Sequence, residues 1–307
     1  MRILVAGAGA VGGYFGGRLV EKGEDVTFLL RPARKQQLET NGLIIKSEHG
    51  DYHSPIKTIG RDDSCEAFDL IIIAAKAYQL KDLMDDLEGM VGPQSKILPL
   101  LNGYAHYELM QQRWGQDKVL GGLCFIESTL GSDGEIRQTS PQHRITFGAL
   151  TANGEREQAI ANHLRGANFD LVLSDNVLQE IWMKYTYITC LAGITSLMRS
   201  PLGAIRENEW GWQVYQRLAT EVTTIAVAAG FPVDETTKQQ LLQLALNNHA
   251  GLKSSMQRDM EKGLAVEADH LPGYLLQLAV RQGSDPIADY PVLSTVYANL
   301  KIYETSK

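Results

Sequence analysis

The stretch Arg2-Ile3-Leu4-Val5-Ala6-Gly7-Ala8-Gly9-Ala10-Val11-Gly12-Gly13 decides the fold. An apolar strand runs straight into a glycine-rich corner, and a helical pattern follows from about Tyr14 to Glu21. Gly7, Gly9 and Gly12 have the G-x-G-x-x-G spacing with a strand before and a helix after. In that context the pattern reads as a dinucleotide-binding turn rather than an ordinary tight corner. Gly7 makes the turn, Gly9 lets a pyrophosphate approach the backbone, and Gly12 lets the helix pack close to the strand. The free N–H groups and positive dipole end of the helix then face the phosphates. The expected cofactor loop is therefore Gly7, Ala8, Gly9, Ala10, Val11 and Gly12.

A second strand, Asp25-Val26-Thr27-Phe28-Leu29-Leu30, ends at Arg31, with Arg34 and Lys35 close behind. Its tip is where a Rossmann unit meets the adenosine ribose. NAD binders carry a carboxylate there for the 2′-hydroxyl, whereas cations suit a 2′-phosphate. The residues point to NADPH, unless Arg31 is only a solvated loop cation. After a helix and short edge strands over 36–60, the run Phe68-Asp69-Leu70-Ile71-Ile72-Ile73-Ala74-Ala75 reads as a parallel strand buried on both faces. Lys76 follows it, at the sheet end where open α/β folds place ligands, or as a surface lysine opening a helix. A helix over Leu80–Leu87 and a strand over 94–101 lead to Asn102-Gly103. That pair is either a plain turn or a site residue at the same sheet edge. Two strand-like stretches, Gly121–Ile126 and Arg144–Gly148, flank the turn Gly131-Ser132-Asp133-Gly134. A helix over Glu155–Leu164 and a strand over Phe169–Leu173 close the α/β part.

Beyond Ser174 helical periodicity takes over, at about 175–198, 207–229, 234–249, 251–262, 269–282 and 291–304. The expected architecture is an N-terminal Rossmann-type doubly wound α/β sheet over 1–173 and an all-helical domain over 174–307. Val177, Ile181, Lys184, Ile188 and Leu191 share one helix face. Lys184 is thus a cation in an apolar stripe. Desolvation lowers an ammonium's pKa and makes it a competent proton donor, or the side chain snorkels to water. Ser254, Ser255, Met256, Asp259, Gly263, Glu267 and Asp269 form a second cluster. There Glu267 could cap the following helix and Ser255 could be a surface hydroxyl.

The bulk composition agrees. The chain has 307 residues, 44% of them apolar and 21% charged, enough for two domains with a sizeable core. A net charge of −7 without a basic stripe argues against nucleic acid. Cys65, Cys124 and Cys190 have no metal-type spacing, so no metal is expected and a reducing compartment is. The expected protein lacks a signal peptide and spanning helix and is cytoplasmic. The chain is compatible with a homodimer.

Taken in order, Gly7/Gly9/Gly12 with Arg31, Lys76-Ala77-Tyr78-Gln79, Asn102-Gly103, Trp182-Met183-Lys184 and Ser254-Ser255-Met256…Asp259…Glu267 resemble the ketopantoate (2-dehydropantoate) reductase family. The resemblance covers nearly the whole chain. It implies NADPH-dependent reduction of a 2-oxo acid to a 2-hydroxy acid in a cleft between a Rossmann and a helical domain. It implies Lys184 as the catalytic acid and Glu267 as its acidic partner at the substrate. Ser255 would contact substrate, Asn102 would lie by nicotinamide and substrate, and Lys76 would line the same site. The expected substrate is 2-dehydropantoate, reduced to pantoate for pantothenate biosynthesis. One departure matters: the family's asparagines four and eight residues after the lysine are here Ile188 and Ala192, and Gly193-Ile194 replace the usual Asn-Pro. Loss of two hydrogen-bonding groups favours a more apolar 2-oxo acid or ketone, unless Tyr187 or Thr195 substitutes. A non-catalytic NADP(H)-responsive binding protein is the third reading. Lys184 and Glu267 speak against it, because a pure sensor needs no proton donor.

Overall fold

The computed structural model describes residues 1–306. Strand β1 (Arg2–Ala6) enters helix α1 (Ala10–Lys22), and β2 (Asp25–Leu29) leads into α2 (Pro32–Asn41). Three short strands follow, β3 (Leu43–Ser47), β4 (Tyr52–Ser54) and β5 (Lys57–Ile59). Then come β6 (Phe68–Ile73), α3 (Leu80–Asp86), β7 (Val91–Pro99) and α4 (Ala105–Trp114). The hairpin β8 (Gly121–Leu130) and β9 (Ile136–Gly148), helix α5 (Glu155–Leu164) and β10 (Asp170–Leu173) complete the α/β part.

Five strands pair in parallel in the order β5-β2-β1-β6-β7. The chain builds outward from β1 to one edge, returns, and builds outward from β6 to the other. The reversal puts a topological switch point between β1 and β6, at whose carboxyl ends ligands bind in such sheets. The other strands do not extend this sheet. β10, β9, β3 and β4 form a second, mixed sheet, with β8 paired antiparallel to β9. The hairpin turn sits where Gly131–Gly134 predicts it, with Gly131 N–H bonded to the Glu135 carbonyl at 2.8 Å. Both arms are longer than the sequence suggests, because each pairs with the other along its whole length.

Helix α1 packs against both sheets, and its glycines show why it can. A Cβ on Gly12 would overlap the Gly7 carbonyl oxygen and lie 2.9 Å from Ala74 Cβ. On Gly16 it would lie 2.7 Å from the Phe28 ring of β2. On Gly13 it would strike Ile136 of β9, and on Gly17 it would lie 2.6 Å from Ile45 of β3. Gly12 and Gly16 share one face, and Gly13 and Gly17 the next. The helix is held between two sheets with no side chain on either contact line. Tyr14, Phe15 and Leu19 fill the flanks, all fully buried.

The chain divides by its contacts into two compact units, 1–101 with 106–177 and 102–105 with the residues from Leu178 onward. The division falls a few residues after 173, and the turn Asn102–Ala105 goes with the helical unit, which no sequence pattern indicates. Among the described residues no strand follows β10. The helices there are α6 (Val177–Met198), α7 (Leu202–Glu207), α8 (Glu209–Ala228), α9 (Glu235–Asn247), α10 (Ser255–Glu261), α11 (Pro272–Arg281), α12 (Pro286–Asp289) and α13 (Pro291–Thr305). The sequence reading misses α4, α7 and α12. The pattern expected at 207–229 begins instead after Asn208, whose side chain accepts from Gly211 N–H at 2.9 Å and caps α8. Within α8, the Glu221 carboxylate is buried and accepts the Leu293 N–H at the start of α13 at 2.9 Å.

Gly12→Ala is expected to lower stability by about 2 kcal/mol, because the added methyl meets backbone that cannot give way. Gly9→Ala, where an added Cβ meets nothing within 4 Å, should change it by less than about 1 kcal/mol. Chemical denaturation beside the parent chain checks both, and a Gly12→Ala variant as stable as the parent contradicts this packing.

Candidate active site

In the α/β unit the predicted residues converge on the switch point. Gly7 adopts a left-handed φ of +101°, and its N–H bonds the Leu29 carbonyl at 3.3 Å. A Cβ there would lie 3.0 Å from the Ala74 carbonyl oxygen, so the glycine turn presses on the strand end that carries Lys76. Gly9 occupies the N-cap of α1 and supplies no side-chain cap, and the space around its Cα is open. First-turn N–H groups without a side-chain cap, facing open space at a helix N-terminus, fit a pyrophosphate. Lys76 lies three residues beyond β6 and is the N-cap residue of a 3₁₀ turn, Ala77–Gln79, that runs directly into α3 at Leu80.

The three cations after β2 have different fates. Lys35 pairs with Asp63 at 2.7 Å. Arg34 turns back on the glycine loop: its Nε donates to the Ala8 carbonyl at 3.1 Å and its Nη1 to the Gly134 carbonyl at 2.9 Å. Arg34 therefore braces the loop, a role with no signal in the sequence. Arg31, the N-cap residue of α2, is exposed at the tip of β2.

In the helical unit three segments meet. The first is the part of α6 around Lys184. Val177, Ile181 and Leu191 on its face are buried, and Lys184 and Ile188 are half-buried. The lysine thus stands in the apolar stripe that the spacing predicts. The second is Asn102–Tyr104, whose Tyr104 ring lies 5.0 Å from that of Trp182. Trp182 in turn stacks on Phe231 at 3.8 Å. The third is Glu267–Leu271. The hydroxyl of Tyr185, next to Lys184, donates to the Leu271 carbonyl at 2.7 Å, and Leu271 N–H closes a turn on the Glu267 carbonyl at 3.0 Å. Glu267 is not the cap of α11, whose N-cap position is Leu271 and carries no side-chain cap. Burial pushes the Tyr185 phenol well above its ordinary pKa, so it stays a neutral donor.

Ser254 and Ser255 separate. Ser254 is buried and caps α10, accepting from Gln257 N–H at 3.0 Å, and lies 2.9 Å from the Thr195 hydroxyl. Ser255 is the exposed first residue of α10. Ala192 is buried in the helical core and Ile188 packs against that core. Thr195, which could have replaced a lost asparagine, donates to the Leu191 carbonyl at 2.7 Å. The Tyr187 hydroxyl accepts from Asn248 Nδ2 at 2.9 Å, and burial raises its pKa to about 12. Both hydroxyls are already bonded within the helical unit.

Among the described residues no group of three histidine, cysteine or acidic side chains could hold a metal ion, and no helix is long and apolar enough to cross a membrane.

Comparison with known proteins gives the family. The family model of ketopantoate reductase PanE/ApbA matches residues 3–152, and that of its C-terminal part matches residues 176–304. The uncharacterized oxidoreductase YkpB of Bacillus subtilis (strain 168) is 43% identical over 310 residues, covering 100% of both chains. The crystal structure of 2-dehydropantoate 2-reductase from Geobacter metallireducens GS-15 superimposes with a TM-score of 0.87 at 25% identity, covering 98% of this chain and 99% of that one. D-mandelate dehydrogenase, in a ternary structure with NADH and anilino(oxo)acetate, shares the fold with a TM-score of 0.86 at 19% identity, covering 99% of each chain. With family models matching residues 3–152 and 176–304 and a relative 43% identical over both whole chains, the chain belongs to the ketopantoate reductase family and is an oxidoreductase.

Proposed function

We propose that this protein reduces a 2-oxo acid to the 2-hydroxy acid with NADPH, using Lys184 as the proton donor and Glu267 as its acidic partner at the substrate. One observation carries the reading. The only cation of an otherwise apolar helix face, Lys184, neighbours Tyr185, whose hydroxyl ties α6 to the segment bearing Glu267. A bound reduced nicotinamide supplies the hydride. The chain's own residues handle the charge that follows. The Lys184 ammonium stabilises negative charge on the substrate oxygen and passes it a proton. Glu267 accepts a hydrogen bond from the substrate and orients it. Asn102, Ser255 and Lys76 supply polar contacts to the anionic substrate, and Lys76 and Asn102 also face the cofactor.

The residues Gly7, Ala8, Gly9, Ala10, Val11 and Gly12 hold the pyrophosphate through backbone N–H groups. Arg31 holds the 2′-phosphate. Its exposure supports this, because Arg34 and Lys35 are engaged elsewhere. Family membership supports 2-dehydropantoate as the substrate. A second reading, a more apolar 2-oxo acid, is favoured by Ala192 and Ile188 belonging to the hydrophobic core and by the engaged hydroxyls of Thr195 and Tyr187.

Lys184→Ala should lower kcat by about 10²–10³-fold, the range for a lost acid and charge-stabilising group, while NADPH affinity changes little. Steady-state kinetics with a nucleotide titration checks this, and an active Lys184→Ala enzyme removes the assignment. Arg31→Ala should weaken NADPH about tenfold or more while leaving NADH nearly unchanged, since one charge-assisted contact is worth about 1.5–3 kcal/mol. Equal losses for both nucleotides would remove the 2′-phosphate contact. A panel of 2-oxo acids run with NADPH decides the substrate: dominant turnover of 2-dehydropantoate supports the family substrate, dominant turnover of an aliphatic or aromatic acid supports the second reading, and none at all sinks the reductase.

A further inference from the structure

We propose that His270 is a positioning residue of the reductase site, holding the Asn102–Gly103 turn against the segment that carries Glu267. The inference rests on the roles given above to Asn102 and Glu267. It comes from a contact that neither the family resemblance nor the sequence spacing indicates.

A ring N–H of His270 donates to the backbone carbonyl of Asn102. The ring also lies close against the next residue. A Cβ at Gly103 would come within 2.8 Å of His270 Cδ2 and 3.1 Å of its Nε2. Gly103 has a φ of +89°, so the position needs glycine both for its backbone and for the approach of the imidazole. The ring's own place is set from the other side. Leu271 N–H bonds the Glu267 carbonyl, and the Tyr185 hydroxyl of α6 bonds the Leu271 carbonyl. One imidazole therefore connects the turn bearing Asn102 to the short turn bearing Glu267, and Tyr185 anchors that turn to the helix of Lys184. Positioning of this kind sustains rate, because reacting groups misplaced by about 1 Å can lose 10²-fold.

The chemistry of histidine adds a second consequence. Burial disfavours the imidazolium, while the Glu267 charge and the Asn102 carbonyl favour it, and burial prevails, so the pKa lies below its ordinary value. The ring is neutral at pH 7 and donates one N–H to Asn102. Among the described residues Glu267 is the charged group that acts on the ring. The carboxylate next to it in the chain, Asp269, bonds Tyr297 at 2.7 Å and Lys301 at 3.0 Å on α13. The other titratable groups on the elements meeting here are Glu180, Lys184, Tyr185, Tyr187 and Cys190 of α6, Tyr104 of the turn, and Tyr274 and Arg281 of α11. As pH falls through the ring's depressed pKa, the imidazolium draws the Glu267 carboxylate to itself and away from the substrate.

The test uses the full chain, NADPH and the best acid of the panel, with kcat and KM measured from pH 5 to 8 for the parent, His270→Gln, His270→Ala and Lys184→Ala. His270→Gln keeps an N–H for the Asn102 carbonyl and cannot titrate. It should hold kcat/KM within about threefold at pH 7.5 and lose the parent's decline on the acid side. His270→Ala should lose about tenfold or more in kcat/KM, chiefly in kcat. An acid limb unchanged in His270→Gln, or full kcat in His270→Ala, overturns the proposal. Should His270→Ala fail to fold, the His270→Gln profile decides alone. Turnover that survives in Lys184→Ala overturns the site itself, whereas loss there with His270→Ala unaffected overturns only the part given to His270.

Discussion

The structure depends on one close approach, that of helix α1 to everything around it. Its four interior glycines face the parallel sheet on one line and the second sheet on the next, and a methyl on any of them would meet atoms already in place. Removing side chains from a helix costs about 1 kcal/mol per glycine in propensity. That loss is offset because both sheets then bury apolar surface directly against the helix. Functionally, the same closeness brings the helix N-terminus against Ala74, at the point where strand order reverses. The glycines that make the core compact therefore also aim the dipole of α1 at the sheet edge where Lys76 emerges.

The helical unit uses a different device. Its segments are tied together by side-chain hydrogen bonds. Tyr185 reaches Leu271, His270 reaches Asn102, and Ser254 joins α10 to Thr195 of α6. These donors are buried and neutral, so each bond is strengthened by its low-dielectric surroundings and costs little desolvation of charge. The segments they hold carry Lys184 and Glu267, the two groups to which the proposed reaction assigns charge. The hydroxyls of Thr195 and Tyr187, near Ile188 and Ala192 in α6, are engaged within the helical unit.

Much of this was legible in the residues. The Gly7–Gly12 spacing after an apolar strand, the buried run ending at Lys76, and the lysine in the stripe Val177–Leu191 each read correctly, since each is a local pattern with a single period. Other features were hidden for physical reasons. Helix α4 has weak periodicity of its own and is held through Tyr107, whose hydroxyl donates to the Gly122 carbonyl at 2.8 Å and accepts the Gly122 N–H at 2.9 Å. The second sheet was invisible because its partners are far apart in the chain, β3 pairing with β9 some 90 residues later. Three cations after β2 look alike in sequence, yet Arg34 braces the loop, Lys35 pairs with Asp63, and Arg31 alone of the three is exposed.

The amino-acid sequence by itself determined the parallel sheet, the glycine turn, the change to helices near residue 174 and the identity of the charged groups, because backbone propensity and hydrophobic period are written in neighbouring residues. Only the tertiary structure decided that Asn102–Ala105 joins the helical unit, that Ser254 rather than Ser255 caps α10, and that His270 bonds the turn of Asn102. The first and last of these depend on packing between segments more than a hundred residues apart, and the second on which hydroxyl accepts the Gln257 N–H.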